Sequence, residues 1–231
     1  MTPHGTAITL PTDPHGHRPV AVQVWGDAAL FTRPELKAER LTYPVMTPSA
    51  AKGVLEAIYW KPEMAYQVVA IEVLKPIKQF TVRRNETNDV ASLRDAAKGV
   101  RRIDTAAKRD QRNAVCLRDV AYRIHAHIRL QPHANKPVVA YRDQFRRRVD
   151  KGACFAQPYL GTREFTAYFG KPDGTPARDE LDGDLGIMIH TVGYDGDHAM
   201  EWFTARLDRG VLRVPERGIV AEASHISAAV G

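Results

Sequence analysis

Residues 40–86, RLTYPVMTPSAAKGVLEAIYWKPEMAYQVVAIEVLKPIKQFTVRRNE, join a capped helix, a strand and a cationic exit in one unit. Thr47 has the side chain of an N-cap, and Pro48 suits the first helical position because its missing N–H would be unsatisfied there anyway. Ala51, Val54, Leu55 and Ile58 then recur at i, i+3, i+4 and i+7, which predicts an amphipathic helix. From Met64 to Lys78 the chain is rich in β-branched residues and is broken by Pro76, so a strand follows and leads to Val82-Arg83-Arg84-Asn85-Glu86. Upstream, Val20, Val22 and Val24 alternate toward Phe31 and add an earlier strand. The order strand, helix, strand opens a ferredoxin-like βαββαβ unit, giving an α+β fold with an RRM-like core.

Working outward, Val120 to Leu130 alternates Val120, Tyr122, Ile124, Ala126, Ile128 and Leu130 with Arg123, His125, His127 and Arg129. Such a strand has one core face and one cationic face. Val138, Tyr141, Phe145 and Val149 supply the second helix, and Gly152 is placed to end it. Arg146, Arg147 and Arg148 spread around its circumference, so one or two of them can serve a ligand. Cys154 to Phe169 reads as a strand or hairpin, and Leu185 to Val192 and Ala199 to Leu212 as two further strands. The expected organisation is a flexible tail over 1–19, an RRM-like domain over 20–169 with a basic mobile insertion at 87–112, and a small antiparallel β lobe over 170–231.

Charge points to an anionic partner. The chain of 231 residues carries a net +6, with pI about 9.4. Residues 83–151 hold 18 Lys and Arg against 8 Asp and Glu, so their +10 leaves −4 for the rest. A basic region of this kind is the electrostatic footprint of polyanion binding. Lys52, in the first turn of the first helix, adds a cation beside free backbone N–H groups, either as a phosphate ligand or as a plain surface lysine. With only Cys116 and Cys154, the chain lacks a disulfide framework, and a reduced cytoplasmic setting is expected. Asp182, Asp184, His190, Asp195 and His198 match no ligand spacing, so no metal is expected. Ser49 and Lys52 satisfy S-x-x-K without the partner motifs of acyl-transfer enzymes. No Walker loop, dinucleotide fingerprint or membrane-length apolar run is present.

The stretches TRPELKAERLTYPVMTPSAAKGVLEAIYWKP (32–62), VLKPIKQFTVRRNE (73–86) and YRDQFRRRVDKGACFAQPYLGTREF (141–165) resemble the subtype I-C form of the CRISPR-associated Cas-five family, within the RAMP superfamily. The resemblance implies a metal-independent endoribonuclease, needing no cofactor, that cuts precursor CRISPR RNA in its repeat and leaves a 2′,3′-cyclic phosphate and a 5′-hydroxyl. It implies retention of the 5′ handle within Cascade, beside the large and backbone subunits, and contact with target DNA through that complex. The family's catalytic set is a Tyr at the first helix and a Lys-His pair before the second. Here Pro48 stands at the first place, with Tyr43 nearby. Ala140-Tyr141 stands at the second, with His133 and Lys136 upstream. Tyr43, His133, Lys136 and Tyr141 form the catalytic pool, and the departures equally suit a structural subunit that caps the handle without cutting. For RNA binding the resemblance carries over Lys52, Arg83, Arg84 and Asn85, while the charge pattern adds Arg123, His125, His127, Arg146 and Arg147.

Overall fold

The computed structural model describes residues 8–36, 39–87, 89, 92–99, 104–192 and 200–220. Strand β1 (Val20–Ala29) and the two-residue β2 (Arg40–Leu41) lead into helix α1 (Pro48–Ile58). The Thr47 hydroxyl accepts from the Ala50 N–H at 3.2 Å, and Ala51, Val54, Leu55 and Ile58 are all buried, as their spacing predicts. Strands β3 (Met64–Val73) and β4 (Gln79–Thr87), the short helix α2 (Leu93–Lys98) and the 22-residue strand β5 (Arg109–Leu130) follow. Helix α3 (Val138–Lys151) ends on Gly152 at φ 62°, a left-handed cap that an L side chain would resist. Strands β6 (Tyr168–Gly170), β7 (Gly183–Val192), β8 (Met200–Asp208), β9 (Val211–Arg213) and β10 (Ile219–Val220) complete the described chain.

All ten strands share one sheet, with β5 as its spine. The second half of β5 pairs antiparallel with β1 on one edge, setting Val24 opposite Tyr122, and with β3 on the other, setting Ile71 opposite Ile124. β6 pairs with β1, so this part of the sheet runs β3-β5-β1-β6. α1 packs on β3 and β7, α3 packs on β5, β1 and β6, and the helices touch each other. Phe145 of α3 meets Tyr66 of β3 at 5.7 Å between ring centres. Burying such side chains contributes about 1.5–3 kcal/mol each.

Five expectations need correcting. Residues 82–86 are not an exit from the sheet, because they lie within β4 and pair with the first half of β5, setting Arg83 opposite Asn113. Of the expected mobile insertion 87–112, Thr87 and Arg109 to Arg112 belong to this ribbon and Leu93–Lys98 form α2; the ribbon's inner face rests through Phe80, Val82, Ala114 and Cys116 on Leu30 and Phe165. Arg101 and Arg102 of that segment lie outside the described residues. The expected strand Ala199 to Leu212 is, over its described residues from Met200, a hairpin turning at Arg209 (φ 47°) and Gly210 (φ 77°), and β9 then pairs with β3, making the C-terminal strands continuous with the main sheet. Between Cys154 and Phe169 only a Tyr159–Thr166 bridge and the start of β6 are regular, with Leu160 docked by its carbonyl on the Leu30 N–H. The described part of the expected loose tail, residues 8–19, is hydrogen-bonded onto β5, β9 and α3.

Candidate nucleic-acid interface

The Val214 N–H bonds the Val69 carbonyl at 3.0 Å, and the chain then turns away from β3 at Pro215. Residues 214–217 arch over β7 and β8, held by His190. Its Nε2 lies 2.9 Å from the Pro215 carbonyl, which fixes the proton on Nε2, and Nδ1 is 2.8 Å from the Thr191 hydroxyl. Glu201 stands 3.4 Å from the same Nδ1 and accepts from the Gly218 N–H at 3.2 Å. With both ring nitrogens engaged, His190 braces the arch.

Beneath the arch lies a cavity of about 280 Å³, bounded by Pro48 and Lys52 of α1, Tyr66 to Val68 of β3 and Arg129 of β5. Lys52 Nζ is 3.8 Å from Glu56, whose carboxyl burial pushes up while Lys52 pulls it down. Arg129 donates from Nε to Gln67 at 2.6 Å and from Nη2 to Glu216 at 3.3 Å. Arg217 also lines the cavity and makes no ion pair among the described residues. The first turn of α1 contains no acidic residue, so its N-terminal partial charge adds to that of the cations. Arg129 and Arg217 belong to this cavity only through the return of the C-terminal strands, a relation that no local spacing discloses.

The sheet face away from the helices is less open than its alternation implies. Glu72 holds Arg123 at 2.8 Å and His125 at 2.6 Å, and a second nitrogen of Arg123 reaches the Thr175 carbonyl at 2.6 Å. His127 is covered by the N-terminal segment. The outer ribbon face is open: Arg83 and Asn85 project there opposite Asn113 and Gln111, and the Asn85 Oδ1 accepts from Gln111 at 3.3 Å. Arg84 faces the other way and pairs with Glu164. Arg146 and Arg147 are exposed on α3, held by Asp143 at 3.3 Å and Gln144 at 2.7 Å.

The four residues of the catalytic pool divide by burial, two enclosed and two exposed. Tyr43 is fully buried beneath the Arg33 guanidinium, which lies 4.4 Å from the ring centre, and burial pushes its hydroxyl up. Tyr141 is buried in the α3 interface, with its hydroxyl pushed up by burial and by Glu63. His133 and Lys136 are exposed on the loop between β5 and α3, four and seven residues beyond Arg129. Asp182 and Asp184 both pair with Arg206, while Asp195 and His198 lie outside the described residues.

These features define an α+β protein with cations at a cavity by the start of α1, along a two-stranded ribbon and on the outer side of α3. Residues 20–215 match the Cas5d family model, described as CRISPR-associated protein (Cas_Cas5), and the chain belongs to this family. It is 46% identical over 176 residues to the CRISPR pre-crRNA endoribonuclease Cas5d of Thermus thermophilus, covering 76% of this chain and 74% of that one. To the protein of the same name from Mannheimia succiniciproducens it is 39% identical over 212 residues, covering 85% and 94%. A crystal structure described as a CRISPR-associated protein shares the fold at a TM-score of 0.65 and 24% identity, covering 89% of this chain and 98% of that one. A functionally uncharacterized Streptococcus mutans protein does so at 0.63 and 21%, covering 89% and 99%. Among the described residues no helix is long and apolar enough to cross a membrane.

Proposed function

We propose that this chain binds CRISPR RNA, cuts its precursor within the repeat without a metal, and stays on the 5′ handle as a subunit of a type I-C Cascade complex. Two relatives that carry the name of pre-crRNA endoribonuclease support this reading. The carrying observation is the convergence of Lys52, Arg129 and Arg217 on one cavity at the N-terminus of α1. Three cations at the positive end of the α1 dipole, against Glu201 and Glu216 in the same lining, suit an RNA phosphate and the extra charge it gains during in-line attack. The strand order β3-β5-β1-β6, with α1 and α3 as crossovers, supports an RRM-like βαββαβ core over 20–169 carrying the lobe 170–231.

In this reaction the 2′-oxygen attacks the adjacent phosphorus and the bond to the 5′-oxygen breaks, giving a 2′,3′-cyclic phosphate and a 5′-hydroxyl. The 2′-hydroxyl proton passes to a base, and the departing 5′-oxygen takes one from an acid. His133 and Lys136, the exposed members of the pool, are assigned to exchange these protons because an exposed imidazole and amine can reach a bound strand. Buried tyrosyl hydroxyls with raised pKa values serve packing. Arg83 and Asn85 extend the RNA path along the ribbon, where arginine and amide side chains can pair with phosphates and base edges. In the complex the large and backbone subunits would be its neighbours, and target DNA would reach it through them.

The burial of Tyr43 and Tyr141 favours a second reading, a subunit that caps the handle without cutting it. Incubating the purified protein with its cognate repeat hairpin in chelator separates the two. A 2′,3′-cyclic phosphate on one product and a 5′-hydroxyl on the other are expected, and intact RNA overturns the nuclease reading.

A further inference from the structure

The segment ahead of β1 lies outside the family match, which begins at Val20, yet it is fastened across three elements of the fold. Thr9 offers its carbonyl to Arg213 of β9 at 3.3 Å, Pro11 to His127 of β5 at 3.0 Å, and Arg18 to Arg142 of α3 at 2.6 Å. Under it, His127 is 2% exposed and Arg142 3% exposed, and Nη1 of Arg142 has no hydrogen-bond partner. Between these anchors stands Asp13, itself buried and locked in a tight turn. One carboxylate oxygen accepts from the His15 and His17 N–H groups at 2.9 and 2.8 Å, and the other lies 3.1 Å from His17 Nδ1. Asp13 is the acid whose charge acts on both His127 and Arg142.

A guanidinium buried with one N–H group unfilled is costly, and a neutral carbonyl is a weaker counterpart for it than a charged oxygen. A run of spaced backbone oxygens with a carboxylate among them, each facing a cationic or imidazole donor, has the layout of a phosphodiester strand. We propose that residues 8–18 are a resident competitor on a nucleic-acid-binding seam, and that Arg213, His127 and Arg142 take the phosphates of a single strand when this strap lifts. Arg213, His127 and Arg142 are not among the residues that line the cavity under the arch, so the seam can be tested by binding rather than by repeat cleavage.

Asp13→Ala in the full chain removes the bonds that hold the turn and leaves the sheet intact. Binding of a short single-stranded oligonucleotide unrelated to the repeat, as RNA and as DNA, is measured at graded salt. The variant should bind about tenfold more tightly than the wild type. Its salt slope should be steeper by about 1.4 units, as two arginine-bound phosphates at roughly 0.7 each require, with His127 donating a hydrogen bond as a neutral imidazole. RNA and DNA should bind alike, because phosphates alone are read. In the Asp13→Ala background Arg213→Ala should lower the slope by about 0.7, and in the wild type it should not. Equal affinity and slope for Asp13→Ala and wild type overturns the proposal, as does a clear preference for RNA. Should the variant fail to fold, hydrogen exchange on the wild type decides: saturating oligonucleotide should speed exchange at residues 8–18, and unchanged or slower exchange there overturns the proposal. Repeat cleavage by the wild type, measured alongside, reports on the cavity alone.

Discussion

Glu72 of β3 and Arg123 of β5 form an ion pair 2.8 Å long on the sheet face away from the helices, with side chains only 7% and 12% exposed. Removing one member of a buried pair leaves the other charge uncompensated, so Glu72→Ala should destabilise the protein by about 3–5 kcal/mol. Burial opposes ionisation of Glu72, but the His125 hydrogen bond and the Arg123 charge outweigh it and hold the carboxyl below its ordinary value. A depressed carboxyl pKa stabilises the fold above the unfolded value, and that contribution is lost as pH falls through the folded one. Urea unfolding at descending pH should show the wild type losing stability below about pH 4.5, the ordinary Glu range. Glu72→Gln, less stable at neutral pH, should show a flatter acid limb, and parallel limbs would refute the linkage.

The β8–β9 hairpin turns at Arg209 and Gly210, both at positive φ, with Asp208 opposite Val211. Such a two-residue loop favours Asn at its first position, where an arginine bears the left-handed penalty without relief. The Arg209 contact with Asp208, 3.8 Å and solvent-exposed, contributes little. Arg209→Asn should raise stability by about 0.5–1 kcal/mol, visible as a later urea midpoint at unchanged slope.

Helices α1 and α3 and the second half of β5 were legible in the sequence because their periods repeat without interruption, from Ala51 to Ile58, Val138 to Val149 and Val120 to Ile128, whereas α2 buries no residue and has no such period. The ribbon was not. Its outer face is Arg, Asn, Gln and Thr, and the few apolar residues beneath, such as Val82 and Cys116, find their partner Leu30 far away in sequence. Burial of His127 and Arg142 was equally hidden, since alternation marks which face a side chain occupies and not what another segment lays over it. For the candidate site, Lys52 could be picked out by its place at a helix start. Arg129 was seen only as part of a face, and Arg217 enters through the arch after β9.

If the cavity holds phosphate, Lys52→Ala, Arg129→Ala and Arg217→Ala should each weaken repeat-RNA binding and flatten its salt dependence by somewhat under one unit. Arg146→Ala and Arg147→Ala, on the outer side of α3, serve as comparison and should change the slope less. Fluorescence anisotropy at several salt concentrations tests this. Slopes unchanged in all three cavity variants would remove the phosphate from this place.

The catalytic assignment rests on exposure. A residue that exchanges protons with RNA must reach it, and within the pool His133 and Lys136 are on the surface whereas Tyr43 and Tyr141 are enclosed. In single-turnover cleavage of the repeat hairpin, His133→Ala or Lys136→Ala should slow the chemical step by about a hundredfold, the scale for losing a general acid or base, with little change in affinity. Tyr43→Phe and Tyr141→Phe should cut at near the wild-type rate, because a buried hydroxyl with a raised pKa cannot exchange protons with a strand outside the core. A 2′-deoxy substitution at the cut site should abolish product, since it removes the attacking oxygen and leaves every phosphate contact in place. Normal cleavage by both His133→Ala and Lys136→Ala, with loss in either tyrosine variant, would move the chemistry into the interior and require the helix-start region to open around Tyr43 or Tyr141.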